Sequence, residues 1–243
     1  PLKVRGTRAL PFEAPHFTRL VEGTRPDPVL KTTLSLPLQE SMEKILSENV
    51  ARLRPYGIEN GAMLVVDSRD MSVLAQVGSI DFFNSAIAGE VDGTRAARSP
   101  GSTLKPFLYG MALDAGLIHS ESLLQDVPRH YGDYRPGNFA AGFIGPVSAS
   151  EALATSLNLP AVQLLEAYGP KRFAGELRSA GLPIRLPALA EPNLALILGG
   201  AGSRLEDLVS GYSAFARGGK SAAIRLQPDD ELRERPLDRK SVV

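Results

Sequence analysis

RSPGSTLKPFLYG, residues 98–110, sets a serine, a lysine and two prolines at the start of an otherwise apolar helical pattern. If the helix opens at Ser102, Pro106 lies a full turn inside it, where it lacks the N–H that would bond back to Ser102. Helix stability does not explain that choice, whereas a reactive helix start does. Lys105, three residues after Ser102, falls on the same face one turn up. Serine is a poor nucleophile at neutral pH unless a neighbouring base takes its proton, and a lysine can do so once burial or nearby positive charge lowers its pKa. The helix N-terminus adds N–H groups and a positive dipole end that can stabilise an oxyanion. The Pro100-Gly101 turn lets backbone approach a substrate closely.

The Ser-x-x-Lys spacing alone decides little, because Ser41-Met42-Glu43-Lys44 repeats it and Ser47-Glu48-Asn49 follows close by. Those residues lie within a charged amphipathic pattern with no glycine before the serine, and read as a solvated helix face. Ser102 differs in following a turn, opening an apolar helix and having a second polar cluster, Ser156-Leu157-Asn158, at the junction of two later helical patterns.

Elsewhere the pattern is mixed. Residues 1–36 have no period of 2 or 3.6 and read as linker or irregular wrapping segment. LPLQESMEKILSENVARL places Leu38, Met42, Ile45, Leu46 and Leu53 near helical spacing. GAMLVVDSRDMSVLAQVGS, residues 61–79, reads as a β-hairpin about its polar SRD, and residues 79–101 as loop. The helix from 102 ends at Gly116. Residues 120–147 are too rich in Gly, Pro and aromatics for a regular element and form a long loop of the kind that carries function. Ser148 with Glu151, and Ser203 with Glu206, are capping boxes; Pro160 suits the first turn of a further helix, and Gly218 or Gly219 ends the last. The final residues, from Lys220, are charged and weakly patterned.

Composition bounds the function classes. Hydrophobic residues make up 43% and charged residues 22%, with 27 basic against 27 acidic side chains, the profile of an ordinary globular chain. A balanced charge argues against a nucleic-acid partner. With no cysteine there is no thiolate metal site, and His16, His119 and His130 lack the spacing of a zinc site and read as surface or loop residues. No cofactor and no metal are expected. No window is long and apolar enough to span a bilayer. The first residue is Pro rather than Met, so an upstream anchor or targeting segment is expected outside this sequence.

RSPGSTLKPFLYG, with SLNLPAV about fifty residues on, resembles the transpeptidase domain of penicillin-binding proteins, whose motifs are Ser-x-x-Lys, Ser-x-Asn and Lys-Thr-Gly. VLKTTLSLPLQESMEKIL, the hairpin, and LALILGGAGSRLEDLVSGYSAFARGG are similar to further parts of that domain, and LIHSESLLQDVPRHYGDYRPGNF is most similar to the bifunctional class A members. The resemblance implies an α/β (α+β) fold with an antiparallel sheet flanked by helices, in a transpeptidase domain over 37–243 and a linker from a glycosyltransferase domain over 1–36. It implies Ser102 as nucleophile on the D-Ala-D-Ala carbonyl of a peptidoglycan stem peptide and Lys105 as general base. Ser156 would act as proton relay, Asn158 as donor to the peptide and support for Lys105, and Gly101 and Thr103 as substrate-binding residues. β-Lactam antibiotics would trap Ser102. The implied setting is the bacterial periplasm, with the full-length protein anchored in the inner membrane upstream.

No Lys-Thr-Gly occurs. Lys220-Ser221-Ala222 and Lys240-Ser241-Val242 lack the glycine, and neither lies in a convincing apolar strand, so the third motif is expected after residue 243 and this chain alone is expected to be impaired. Without the cation of that motif, Lys105 is expected to keep a pKa near that of free lysine, ~10.4, and the hairpin to show an open edge. Two other functions fit the residues: a D,D-carboxypeptidase or β-lactamase that uses water as acceptor, and a non-catalytic peptidoglycan-binding module.

Overall fold

The computed structural model describes residues 13–22, 29–132, 134–138 and 142–237. The chain divides into two compact units. One comprises residues up to Ala96 with Arg204–Val209 and Ala223–Arg233; the other comprises Ala97–Ser203, Ser210–Ala222 and residues from Glu234 onward.

In the first unit, helix α1 (Pro15–Val21) stands where the sequence suggested a linker or irregular wrapping segment. Its Phe17 and Val21 are buried with Ala14 and Val73, and Leu30, Leu34, Ile224 and Leu226 pack on them. Burying a Phe or Val contributes roughly 1.5–3 kcal/mol, enough to hold a seven-residue helix that has little stability of its own. His16 is correspondingly a core residue, its Nε2 bonded to the Gly89 carbonyl at 2.9 Å. His119 and His130 are exposed as expected.

Helix α2 (Leu36–Leu53) runs for 18 residues with Pro37 in its first turn. Leu46 and Val50 bury against Val77, with Met42 packed beside them. Ile45 and Leu53, expected on that face, are 41% and 40% exposed. Gln39 takes the inward place instead, at 1% exposure, for a hydrogen-bonding reason given below. Ser41 bonds its own helix at the Pro37 carbonyl, 2.8 Å away, and lies on the solvated face the sequence assigned to it.

Strands β1 (Met63–Val66) and β2 (Val73–Val77) form the expected antiparallel hairpin, with an irregularity between Val65 and Val66. Its second edge is not open. The Leu74 carbonyl accepts from Ser35 N–H at 2.9 Å, and Val73 N–H donates to the Arg225 carbonyl at 2.9 Å. Gln39 completes the cover, its Oε1 accepting from Gln76 N–H at 2.8 Å and its Nε2 donating to the Gln76 carbonyl at 2.9 Å. A side-chain amide thus replaces a strand partner, which is why a glutamine occupies a core position.

The second unit holds α3 (Lys105–Asp114), α4 (Ala149–Ala154), α5 (Asn158–Tyr168) and α6 (Pro170–Ser179). Helix α5 is its centre, packed by α3, α4, α6 and the 3-10 turn Leu194–Leu198. Leu159, Leu165, Phe107, Phe173, Leu177 and Ile197 are fully buried there. Helix α3 closes as expected at Gly116, whose φ of 69° permits the paired bonds Gly116 N–H to Leu113 O and Leu117 N–H to Ala112 O. Ser148 caps α4, accepting from Glu151 N–H at 3.2 Å.

Two strands went unread in the expected loop 120–147. β3 (Leu123–Asp126) and β4 (Gly145–Ser148) pair antiparallel with the loop between them. The tail likewise forms β5 (Lys220–Ala222) and β6 (Glu234–Pro236), so Lys220 does lie in a strand. β5 follows α7 (Leu205–Ala216), which ends before Gly218 and Gly219, both at positive φ. The described strands form three separate two-stranded antiparallel ladders. Replacing Gln39 by Leu preserves volume but leaves Gln76 N–H and C=O unpaired, and is expected to lower unfolding free energy by about 3 kcal/mol in urea titration; a loss under ~0.5 kcal/mol would show that the amide does not act as a strand.

Candidate active site

The opening of α3 resolves the placement of Pro106. Gly101–Leu104 form a 3-10 turn, and the α-helix begins only at Lys105. Pro106 is then the second helical residue, where a missing N–H costs nothing, and the Ser102 carbonyl accepts from Lys105 N–H instead. The reading of a helix from Ser102 is corrected accordingly. Gly101 has φ 54°, a left-handed conformation suited to glycine, and open space where a Cβ would stand. A side chain at Gly199, by contrast, would press on Ser99 Oγ and on the Gly101 backbone at 3.0 Å or less. Ser99 Oγ also donates to the Gly199 carbonyl at 2.8 Å. Gly199 thus lets its own backbone pack close against Ser99 and Gly101, a contact within the chain that is distinct from the substrate approach expected at Gly101.

Thr103 Oγ1 donates to the Pro100 carbonyl at 2.7 Å, and the Thr103 carbonyl accepts from the Tyr212 hydroxyl at 2.7 Å. Tyr212 in turn stacks edge-on against Phe107, centroids 4.9 Å apart. The hydroxyl of Thr103 thus holds its own turn. Among the described residues neither the Ser102 hydroxyl nor its N–H has a hydrogen-bond partner, and Ser102 is exposed.

Lys105 is 1% exposed, and its ammonium or amine nitrogen is gripped from one side. Nζ donates to the Ser156 carbonyl at 2.6 Å and to Asn158 Oδ1 at 2.8 Å, and lies 3.2 Å from Ser156 Oγ. Ser156 and Asn158 converge because α4 ends at Ala154 and α5 starts at Asn158. The chain reverses between them through Ser156 at φ 56°, a left-handed conformation in a non-glycine residue. Such a residue costs on the order of 1–3 kcal/mol; here it turns both the carbonyl and the hydroxyl of one residue toward one amine.

Burial lowers the Lys105 pKa from 10.5 to about 8. The expectation of a free-lysine pKa is overturned, because desolvation by the surrounding helices does what a second cation was thought necessary to do. The three motif residues Lys105, Ser156 and Asn158 are brought together. Ser102, one 3-10 turn from Lys105 and so on the same side, has no hydrogen bond to it in this state.

Lys220 joins neither group: its Nζ faces Glu234 Oε2 at 3.4 Å, and Ser221 is buried with its hydroxyl donated to the Ala180 carbonyl. Lys240-Ser241-Val242 lies outside the described residues. Two contributors escaped the sequence reading, Gly137 and Asn138. The Gly137 carbonyl accepts from Asn158 Nδ2 at 2.7 Å, and Asn138 Oδ1 accepts from Asn158 N–H at 3.0 Å. Their signal was a Pro-Gly-Asn run in a loop too long to be a mere connection. Among the described residues no acidic or histidine cluster could hold a metal, and no helix is long and apolar enough to cross a membrane.

A family model for the penicillin binding protein transpeptidase domain matches residues 61–187, just over half of the chain. The chain is 57% identical over 230 residues to penicillin-binding protein 1C of Escherichia coli, covering 95% of this chain and 30% of that protein. It therefore spans under a third of that relative's length. The fold is similar to that of penicillin-binding protein PonA1 from Mycobacterium tuberculosis, with TM-score 0.67 at 20% identity over 90% of this chain and 61% of that one. A second structure of PonA1, in complex with penicillin V, aligns with TM-score 0.64 at 20% identity, covering 84% of this chain and 57% of that one.

Two stability tests follow from the site's geometry. Ser156→Gly is expected to match or exceed the parent in thermal unfolding because glycine relieves the left-handed strain, while Ser156→Val should lose about 1–3 kcal/mol; equal losses in both would contradict that strain. For Lys105, the folded state releases its proton at about pH 8 and the unfolded chain at ~10.4. Below pH 8 the folded state carries the full penalty of a buried charge, and between these values the unfolded chain binds more protons, so stability from this group rises with pH. Relative to Lys105→Met, the parent is expected to gain stability from pH 8 to pH 10; a constant difference would place the Lys105 pKa near that of free lysine.

Proposed function

The chain belongs to the penicillin binding protein transpeptidase domain family, and from that premise we propose that it performs serine acyl transfer on the D-Ala-D-Ala end of peptidoglycan stem peptides. The observation that carries this reading is the buried Lys105 amine, held by two carbonyl oxygens beside a second serine hydroxyl. A neutral amine has two N–H bonds and one lone pair. With its N–H groups directed to Ser156 O and Asn158 Oδ1, the lone pair is left for a hydroxyl.

In this reading Ser102 rotates its hydroxyl toward Nζ, as apo catalytic hydrogen bonds tighten on substrate binding. Lys105 takes the proton while Ser102 Oγ bonds to the penultimate D-Ala carbonyl carbon. The N–H of Ser102, without a partner among the described residues, would donate to the resulting oxyanion. Collapse breaks the C–N bond, and the departing D-Ala amine receives its proton from the Ser156 hydroxyl, which Lys105 resupplies across 3.2 Å. An amine of a second stem peptide then attacks the acyl-enzyme carbonyl, giving up a proton to Lys105; the bond to Ser102 Oγ breaks, Ser102 takes that proton back, and the new amide is the cross-link. Penicillins would enter the first half of this sequence and stop there. The proposed setting is the bacterial cell wall, outside the cytoplasmic membrane.

Mass spectrometry after incubation with penicillin is expected to place one adduct on Ser102 and none on Ser41, and Ser102→Ala to abolish it. The acylation rate should rise through about pH 8 and level off above, since only the neutral amine accepts the proton. Lys105→Arg should remove acylation although charge is kept, and Asn158→Ala should slow it on the order of 10²- to 10³-fold. An adduct that survives Ser102→Ala, or a rate indifferent to pH between 6 and 10, would overturn the assignment. Analysis of products made from stem peptides separates cross-linking from hydrolysis.

A further inference from the structure

We infer that Asn138, held by the buried carboxylate of Asp126, is a positioning residue that fixes Asn158 in the orientation Lys105 needs. The inference rests on the reading of Lys105 as the base. Asn158 is the first residue of α5, so its N–H is among those the helix cannot satisfy internally. Asn138, twenty residues upstream, satisfies it with Oδ1 at 3.0 Å.

Acceptor-only groups at two points then fix every donor direction in the chain. Asp126, 0% exposed, sits at the end of β3; as a carboxylate it can only accept. Its Oδ1 takes Asn138 Nδ2 at 2.7 Å and its Oδ2 takes Ile144 N–H at 2.9 Å. The amino side of Asn138, which also reaches the Gly142 carbonyl at 3.2 Å, must therefore face Asp126, leaving Oδ1 for Asn158. The Gly137 carbonyl, also acceptor-only, draws Asn158 Nδ2 to 2.7 Å. Asn158 Oδ1 is then the atom turned to Lys105. A flipped Asn158 amide would set N–H groups against N–H groups and remove one of the two carbonyl acceptors of the amine. The long loop between β3 and β4 thereby serves as a jig for one side-chain amide.

The test compares fluorescent-penicillin acylation of the parent, Asn138→Ala, Asn158→Ala and the double variant. Asn138→Ala is expected to slow acylation by roughly 10- to 100-fold, as for a small misplacement of a catalytic group. The double variant should be no slower than Asn158→Ala alone, because Asn138 acts only by placing Asn158, whose backbone N–H it holds while the adjacent Gly137 carbonyl orients the side-chain amide. Asp126→Asn, which keeps the shape but points an amino group at a donor whichever way it lies, should slow the reaction in the same way and serves as the second variant should Asn138→Ala fail to fold. Thermal unfolding checks that each variant is native. Parental rates in folded Asn138→Ala, or a double variant slowed by the product of the single effects, would overturn the inference.

A readout independent of acyl transfer is the titration of Lys105, followed by NMR of protein with isotopically labelled lysine. Asn138→Ala should displace its midpoint to the same pH as Asn158→Ala, with no further displacement in the double variant; an undisplaced midpoint would overturn the relay. A parent that is not acylated but shows this titration pattern would remove the acyl-transfer reading and leave the relay standing.

Discussion

A lysine amine kept out of water is the constraint on which the second unit depends. Lys105 is among its largest fully buried side chains, and a buried cation is tolerated only if it is paired or loses its proton. Among the described residues no carboxylate forms an ion pair with it. The groups that meet it are a carbonyl, a hydroxyl and an amide oxygen, which solvate the amine without supplying a full negative charge. Burial then prevails and the proton is held loosely. A carboxylate in place of Asn158 would fit the same space and would raise the pKa again, giving a stabler ion pair and a poorer base.

Much around Lys105 serves to keep that polar set in register. The left-handed backbone at Ser156 brings its carbonyl inward, and the α3, α5 and Leu194–Leu198 packing closes the apolar walls. The turn carrying Ser102 is pinned from two directions, by Gly199 against Gly101 and by Tyr212 on the Thr103 carbonyl. Ser102 is thus exposed on a short pinned turn while Lys105 lies covered behind it.

How much of this could be read from the residues depends on range. The α2 helix is a local pattern of period 3.6 and the β1–β2 hairpin two apolar runs about a polar turn, and both stand where those patterns put them. Ser102, Lys105, Ser156 and Asn158 were singled out by side-chain chemistry and by resemblance to a motif set, and the structure brings the last three together. What escaped was written in backbone or in long-range pairing. β3 and β4 are four residues each, β4 opening on Gly145 and Pro146, and join only across a long loop. The inward place of Gln39 depends on the backbone of β2, 37 residues away, and no period of α2 alone distinguishes it from Ile45. The lowered pKa of Lys105 comes from its burial among residues distant in sequence, so it lay in the fold and not in the motif.

The central claim is that packing alone lowers the proton affinity of Lys105 enough for it to act as a base. Its most direct test is the NMR titration of the Lys105 side chain in the unmodified chain, with the resonance assigned by its loss in Lys105→Arg. A midpoint near 8 is the expected result. A midpoint at ~10.4, that of lysine in water, would contradict the account, since the neutral amine able to take a proton from Ser102 would fall from roughly a tenth of the molecules at pH 7 to under about a thousandth.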